Sequence, residues 1–377
     1  MSKIKLAAVA AAGLEAVVKR ELQDLGYKTQ VDNGWVYFNC GIEDIPRANI
    51  NLRSSDRVML ILGQFNAYTF EELFGRTYNL PWEKWITKKG KFTVKGRSIK
   101  SKLYSVPDCQ SIVKKAVVEK LKDKYDIDWF EEEGAEFTIQ LIIRKDEVTL
   151  AIDTTGSREG LFKRGYREKS IESPIKETMA SALIQLSFWR DDRLLMDPMC
   201  GSGTIPIEAA LIGINKAPGL ERSFASERWP TIEDKHWDKA RREAKEKIEK
   251  NKKLKIIASD IDPKAVEIAK GNAKKAGVEE YIDFMIKDVK DVRIPEEYGI
   301  LITNPPYGER IGEDEEVLEI LKVLGKIFGS DETWSNYIIT PERNFESLYG
   351  KKSDRKRKLY NGNIRVDYYQ YYGKKKR

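Results

Sequence analysis

Asn304-Pro305-Pro306-Tyr307 follows the apolar run Ile300 to Thr303. That run has the character of a buried strand, which puts Asn304 at a strand's C-terminal edge, where open α/β sheets bind ligands. The prolines fix the backbone and cannot continue regular structure. The Asn amide oxygen and a carbonyl freed by proline can accept hydrogen bonds from an exocyclic amine. The Tyr307 ring offers a face on which a base can stack, worth ~1–3 kcal/mol. Gly308-Glu309-Arg310 continue the segment. Standing alone, these residues could be a Pro-rich turn; two further segments argue for chemistry.

Asp197-Pro198-Met199-Cys200-Gly201-Ser202-Gly203-Thr204 follows an apolar strand at Leu194 to Met196 and opens an apolar helix. Its glycines stand where the backbone must turn sharply and approach a ligand closely. The helix's first N–H groups and its dipole favour a carboxylate or phosphate. No Gly-Lys-Ser/Thr closes the loop, so it is not a P-loop, and Pro206 replaces the third glycine of the dinucleotide fingerprint. Ser259-Asp260-Ile261-Asp262 closes the next strand, where a carboxylate beside the Gly-rich loop can accept both ribose hydroxyls. Asp262-Pro263 suits an N-cap and N1 pair, so ribose is assigned to Asp260 and capping to Asp262. Asp288, after the third strand, would lie near an adenine amino group.

The elements that must position these residues alternate as helix Ile175 to Phe188, strand, helix, strand Lys255 to Ser259, helix Pro263 to Ala276, strands Ile282 to Ile286 and Ile300 to Thr303, helix Val317 to Phe328 and strand Tyr337 to Thr340. Short apolar strands alternating with helices predict a doubly wound α/β sheet covered on both faces. Lys358 to Tyr360 and Ile364 to Tyr372 flank Asn361-Gly362, which predicts an antiparallel hairpin at one edge. The first half is α+β in pattern: strand, amphipathic helix and an Asn33-Gly34 hairpin within 1–50, then strands, a helix from Asp108 to Leu121 and a hairpin at Lys145-Asp146 within 51–155. Residues 156–173, with Gly156, Gly160 and Gly165 among Arg158, Lys163, Arg164, Arg167 and Lys169, form a basic linker before the region 174–377.

The 377 residues hold one His and three Cys, too few for a His-based triad or a Cys/His metal cage, so no metal is expected. Unpaired Cys40, Cys109 and Cys200 argue for a reducing, cytoplasmic compartment. No apolar run is long enough to span a membrane. Leu6 to Leu14 faintly imitates a secretory signal, but Glu15 interrupts it. The net charge of +7 is uneven: Lys351 to Lys358 and Lys374 to Arg377 together carry +9, which leaves the body about −2. Lys84, Lys88, Lys89, Lys91, Lys95, Arg97, Lys100 and Lys102 form a stripe without acids, interleaved with Trp85, Phe92 and Val94, the footprint expected for a phosphate-backbone partner. Lys163, Arg164 and Arg167 join that candidate RNA-binding set. A solvated strand face is the bland alternative.

The three strand-end segments resemble S-adenosylmethionine-dependent methyltransferases of exocyclic amines. More narrowly, with GLEAVVKREL near the start, SKLYSVPDCQ, NPPYGERIG and LYNGNIRVDYYQYY at the end, the chain resembles bacterial THUMP-domain 23S rRNA guanine-N2 methyltransferases over nearly all its length. The resemblance implies a ferredoxin-like module at 1–50, a THUMP RNA-binding domain at 51–155 and a Rossmann-like class I methyltransferase domain at 174–377. It implies S-adenosylmethionine as cofactor, held by Asp197, Pro198, Cys200, Gly201, Ser202, Gly203, Thr204, Asp260, Ile261, Asp288 and Asn304. Catalysis falls to Asn304, Pro305, Pro306 and Tyr307, and the partner is structured RNA, such as 23S rRNA or a ribosome assembly intermediate. Gly203 and Asp260 stand 57 residues apart, against ~20 in the simple fingerprint. The excess, Gly213 to Asn251, resembles an insertion in the family and is read as an RNA-contacting flap. Leu161-Phe162 stand where relatives often carry a His. The second methyltransferase that some relatives carry has no counterpart in these residues.

In the implied reaction a flipped guanine's N2 attacks the methyl in line, and the enzyme contributes position and electrostatics. Rival readings are adenine-N6 or tRNA guanine-N2 methylation, a noncatalytic RNA-binding or assembly protein on a relic cofactor fold, and a nicotinamide oxidoreductase, which Pro206 and NPPY disfavour. All cofactor signals follow the linker, so the half from about Ser170 is expected to bind cofactor alone but to methylate RNA poorly.

Overall fold

The computed structural model describes residues 3–156, 160–167, 174–307 and 315–375. Arg158 and Lys169 of the linker, Gly308-Glu309-Arg310 and the rest of the GERIG segment lie outside the described residues. In chain order the elements are β1 (Ile4–Ala10), α1 (Glu15–Asp24), β2 (Thr29–Asp32), β3 (Trp35–Cys40), α2 (Asp44–Asn51), β4 (Ser55–Asn66), α3 (Phe70–Tyr78), β5 (Lys91–Ile99), α4 (Val106–Tyr125), β6 (Glu136–Arg144) and β7 (Glu147–Asp153). They continue with α5 (Glu177–Ser187), β8 (Leu195–Asp197), α6 (Thr204–Gly213), α7 (Asp234–Glu246), β9 (Ile256–Asp260), α8 (Pro263–Ala276), β10 (Asp283–Ile286), β11 (Ile300–Thr303), α9 (Glu315–Phe328), β12 (Ser335–Thr340), α10 (Phe345–Tyr349), β13 (Arg355–Asn361) and β14 (Ile364–Tyr371). No described helix is long and apolar enough to cross a membrane.

The chain divides into two compact units. The first comprises Met1–Ala10, Lys19–Leu161 and Arg222–Glu243; the second comprises Ala11–Val18, Phe162–Glu221 and Ala244–Arg377.

The first unit is built on a seven-stranded sheet in the order β2-β3-β1-β4-β7-β6-β5. All pairings are antiparallel except β5 with β6. Its two-residue hairpin turns have left-handed backbone at both positions, Asn33 and Gly34 (φ +44° and +82°) and Lys145 and Asp146 (φ +51° and +66°), the geometry that matches strand twist. Within the Gly213 to Asn251 insertion, read from sequence as an RNA-contacting flap, Arg222–Glu243 is anchored in the first unit. Trp229 is buried and stacks on Phe137 of β6 with centroids 4.8 Å apart. Its indole N–H donates to the Glu136 carbonyl at 3.2 Å. Nearby, the Ala225 N–H and the Ser226 hydroxyl donate to the Thr155 and Thr154 carbonyls at 3.1 and 2.7 Å.

The second unit holds a seven-stranded sheet in the order β10-β9-β8-β11-β12-β14-β13, parallel through β12 and antiparallel beyond. Alternation splits its strands between two cores. Leu195, Ile300, Ile302, Tyr337 and Ile339 pack on one side, while Met196, Leu301 and Ile338 pack on the other. That two-sided burial is why the strands are short and apolar throughout. Leu14 and Val17 of the first helical region belong to the former core. The terminal hairpin turns at Gly362-Asn363, one residue later than expected, because Asn361 pairs with Ile364 and Gly362 (φ +60°) takes the left-handed position.

Candidate active site

The C-terminal ends of β8, β9, β10 and β11 border a cavity of about 470 Å³. The loop after β8 turns through Gly201 (φ +53°) and Gly203 (φ +81°). A side chain on Gly203 would bring a Cβ within 2.9 Å of the Ala269 Cβ, so α6 and α8 meet closely only because this residue is glycine. The loop is tied to β9: the Cys200 N–H donates to the Ser259 carbonyl and the Gly201 N–H to Asp260 Oδ2, both at 2.9 Å. Asp260 Oδ1 accepts the Asp262 N–H at 3.0 Å, which sets the carboxylate's orientation at the cavity wall. Asp262 caps α8 through the Lys264 N–H at 2.9 Å. Ile261 is 64% exposed on the same wall. Asp288 accepts the Lys290 N–H at 2.9 Å and also borders the cavity.

Asp197 is buried and accepts the Thr303 hydroxyl at 2.8 Å, which couples the end of β8 to the residue before Asn304. Burial pushes its carboxyl up to about 7; the bonds from Thr303 and the Met199 N–H oppose the shift, and nearby Asp260 adds to it. A smaller recess of about 50 Å³ is bordered by Asp197, Cys200, Gly201, Ser202, Thr204 and Asn304, and also by Pro174 and Ile175. Pro174 and Ile175 escaped the sequence reading, although a proline shortly before a long apolar helix is a recognisable signal. Met199, Val289 and Ile320 also line the larger cavity.

Asn304, Pro305, Pro306 and Tyr307 all border the larger cavity. The Tyr307 hydroxyl donates to Asn304 Oδ1 at 2.7 Å. Burial pushes that hydroxyl up to about 12, with Asn361 opposing the shift. The site therefore combines a carbonyl-type acceptor on rigid backbone, an aromatic ring, and a wall with apolar and carboxylate groups. Such a set can orient an amine beside a nucleoside.

The candidate basic residues separate. Lys84, Lys88, Lys89, Lys91, Lys95, Arg97, Lys100 and Lys102 are exposed on the first unit, with Lys89 3.3 Å from Glu131. Lys163 is exposed on the second unit. Arg164 is corrected: it is buried 3.4 Å from Glu208, which also accepts the Tyr166 hydroxyl at 3.0 Å and the Ser181 hydroxyl. Arg167 likewise turns inward, 2.8 Å from Glu177, and donates to the Ile175 carbonyl at 2.8 Å and to the Thr204 hydroxyl at 3.3 Å. Burial pushes Glu177 up to about 7 despite Arg167. These two arginines brace the loop and helix behind the cavity, which takes them out of the phosphate-binding surface.

The strand order and the site at the carboxyl ends of β8 to β11 define a Rossmann-like class I methyltransferase, here with a THUMP domain N-terminal to it. The chain belongs to the RMKL-like methyltransferase family, whose domain model matches residues 164–370. An RlmL ferredoxin-like domain matches residues 5–59 and a THUMP domain residues 67–153. The chain is 50% identical to "Putative RNA methyltransferase YpsC" of Bacillus subtilis over 99% of its own length and 97% of the relative's. It is 32% identical to the ribosomal RNA large subunit methyltransferase K/L of Shewanella woodyi over 94% of its length, but spans about half (51%) of that relative. Among solved structures, one described as "a predicted N6-adenine-specific DNA methylase" from Listeria monocytogenes superposes with a TM-score of 0.94 at 48% identity, covering 99% of this chain and 97% of that one. SMU.472, "a putative methyltransferase complexed with SAH", superposes at 0.93 with 44% identity over the whole of both chains.

Proposed function

We propose that this protein transfers methyl from S-adenosylmethionine to the exocyclic N2 of a guanine in 23S rRNA. The observation that carries the reading is Asn304 Oδ1 fixed at the end of β11, beside Tyr307 and the nucleoside-sized cavity. S-adenosylmethionine supplies an electrophilic methyl on a sulfonium. The residues present fit it: Asp260, already oriented by two backbone N–H groups, offers its remaining lone pairs to ribose hydroxyls; Asp288 and Ile261 suit an adenine ring; the Gly-rich loop and the start of α6 suit the amino-acid end.

Guanine N2 is a weak nucleophile because its lone pair is delocalised into the ring. Asn304 Oδ1 and the Pro305 carbonyl, by accepting its two N–H bonds, would turn that pair toward the methyl while Tyr307 holds the ring. The incoming amine shares or displaces the Tyr307 hydroxyl on Asn304 Oδ1. No strong base is needed before attack, because the amine becomes acidic only as it gains the methyl. As the N2–methyl bond forms the sulfonium–methyl bond would break, leaving neutral S-adenosylhomocysteine, and the N2 proton would pass to water. The K/L relative's name supports rRNA, and the THUMP domain and the exposed basic stripe support an RNA substrate. The likeness to the Listeria structure, described as a predicted N6-adenine-specific DNA methylase, favours a second reading, adenine-N6 methylation, since NPPY would hold an exocyclic amine without naming the base.

The test is nucleoside mass spectrometry of rRNA and tRNA from a strain lacking the gene. Loss of N2-methylguanosine from 23S rRNA is expected. Loss of N6-methyladenosine instead, or an unchanged modification profile, would overturn the assignment.

A further inference from the structure

At one end of the first unit's sheet, three segments are bolted together around the Lys145-Asp146 turn. The Lys145 N–H donates to the Ile99 carbonyl at 3.1 Å, and the Ala67 N–H to the Asp146 carbonyl at 3.0 Å. Asp146 Oδ1 accepts the Lys102 N–H at 2.6 Å, while its own N–H donates to the Ser101 hydroxyl at 3.1 Å. Leu103 anchors the loop after β5 by burial, and its carbonyl accepts the Ser98 hydroxyl at 2.6 Å. The backbone of this end is thus fixed by hydrogen bonds from both sides.

Two aromatic rings stand out from that fixed frame. Tyr104 is 82% exposed and Tyr68 46% exposed. The Lys102 ammonium sits 5.0 Å from the centre of the Tyr68 ring. Arg97, Lys100, Arg144 and Lys145, on the strand ends and turns of the same frame, are also exposed. Asp146, the acid within the turn, already accepts from backbone. Arg97, Arg144 and Lys145 also border a concavity of about 340 Å³, together with Asp32 and Glu147. The Gln64 amide on its wall is already bonded to Lys5, Tyr37 and Thr149, so this end offers a ligand its cations and not the concavity.

We propose that this end of the sheet binds an unpaired stretch of RNA. Tyr104 and Tyr68 stack on bases, and Arg97, Lys100, Lys102 and Arg144 hold the phosphates. Bases in a duplex are already stacked on both faces, so exposed rings gain only from bases whose faces are free. A protein partner would meet a lysine-rich surface, and lysine is depleted at protein interfaces. The inference rests on the RNA reading above and narrows it: beside the reacting nucleotide, the substrate presents single-stranded RNA.

The experiment measures anisotropy of a labelled single strand and a labelled blunt duplex, each of about 12 nucleotides or base pairs, a length within the site sizes of single-strand binders, with the full-length protein at fixed salt. Tyr104→Ala is expected to weaken single-strand binding roughly 5- to 150-fold, the equivalent of one lost base stack. Tyr68→Ala is expected to act in the same direction. Duplex affinity and S-adenosylmethionine affinity should be unchanged, and Tyr104→Phe, which keeps the ring, should bind like the unaltered protein. Single-strand binding by Tyr104→Ala and Tyr68→Ala equal to the unaltered protein, or an equal loss on duplex, would overturn the stacking site while leaving the RNA reading standing. Failure of the unaltered protein to bind either probe would overturn both.

Discussion

Asn304 is the residue on which catalysis should turn, because an acceptor aimed at the reacting amine matters most as nitrogen becomes positive. Asn304→Ala is expected to leave fold and RNA affinity nearly intact while single-turnover methyl transfer falls by two or more orders of magnitude, by analogy with oxyanion-hole donors worth ~2.7–4 kcal/mol. Tyr307→Phe keeps the stacking ring and should retain much of the rate. Near-normal transfer by a folded Asn304→Ala protein would reduce NPPY to a turn. Asp197 gives a second prediction. Its carboxyl, pushed up to about 7 by burial, stays protonated in the folded chain where the unfolded chain ionises. Its contribution to stability is therefore present below the ordinary carboxylate range and is lost as pH rises toward 7, and Glu177 acts in the same direction. Asp197→Asn, which cannot ionise, should be more stable relative to the unaltered protein at about pH 8 than at about pH 5. A stability difference that is the same at both pH values would show that Asp197 is ionised throughout.

Among the elements, the segment Arg222–Glu243 joins the first unit through Trp229, whose ring lies on Phe137 and whose N–H reaches the β6 backbone. Removing a buried indole loses transfer energy and leaves a cavity, so Trp229→Ala should destabilise this unit by ~3–5 kcal/mol. Denaturant melting of the full-length protein would measure it. A loss below about 1 kcal/mol, the range of surface changes, would return the segment to the role of a loosely held flap.

For the whole molecule, the division of the chain changes what a truncation can test. A chain beginning near residue 170 lacks Leu14 and Val17, which belong to the core of the methyltransferase unit, and it carries Arg222–Glu243 without the sheet that buries Trp229. Such a fragment should melt without cooperativity or at much lower temperature than the full chain, contrary to the expectation of an independent cofactor-binding half. Calorimetry of the fragment decides the point: a cooperative transition at the full-length temperature would show that the unit is self-sufficient. Division of labour is better tested in the full chain, by neutralising Lys95, Arg97, Lys100 and Lys102 together. The salt slope of RNA binding should then become shallower by ~0.7–0.9 for each phosphate that is no longer neutralised.

The sequence by itself determined the features that are local in the chain. A strand end, its glycines or prolines and the helix that follows lie within about ten residues, and each strand-end segment is specified by backbone requirements that few residue types meet. That made the Gly-rich loop, Asp260, Asp288 and NPPY legible, and with them the doubly wound class. The tertiary structure decided what depends on partners distant in sequence. Arg164 and Arg167 looked like a solvated basic run because charge is normally exposed. Arg164 is buried and Arg167 half-buried because Glu208 and Glu177 are brought to them, although a lone glutamate in the apolar helix TIPIEAALIG was a signal that something must pair with it. The anchoring of Trp229 was illegible for a similar reason: an aromatic in a long insertion carries no record of the sheet it will stack on. The hairpin turn moved one residue because register is fixed by pairing β14 against β12, not by the Asn-Gly pair alone.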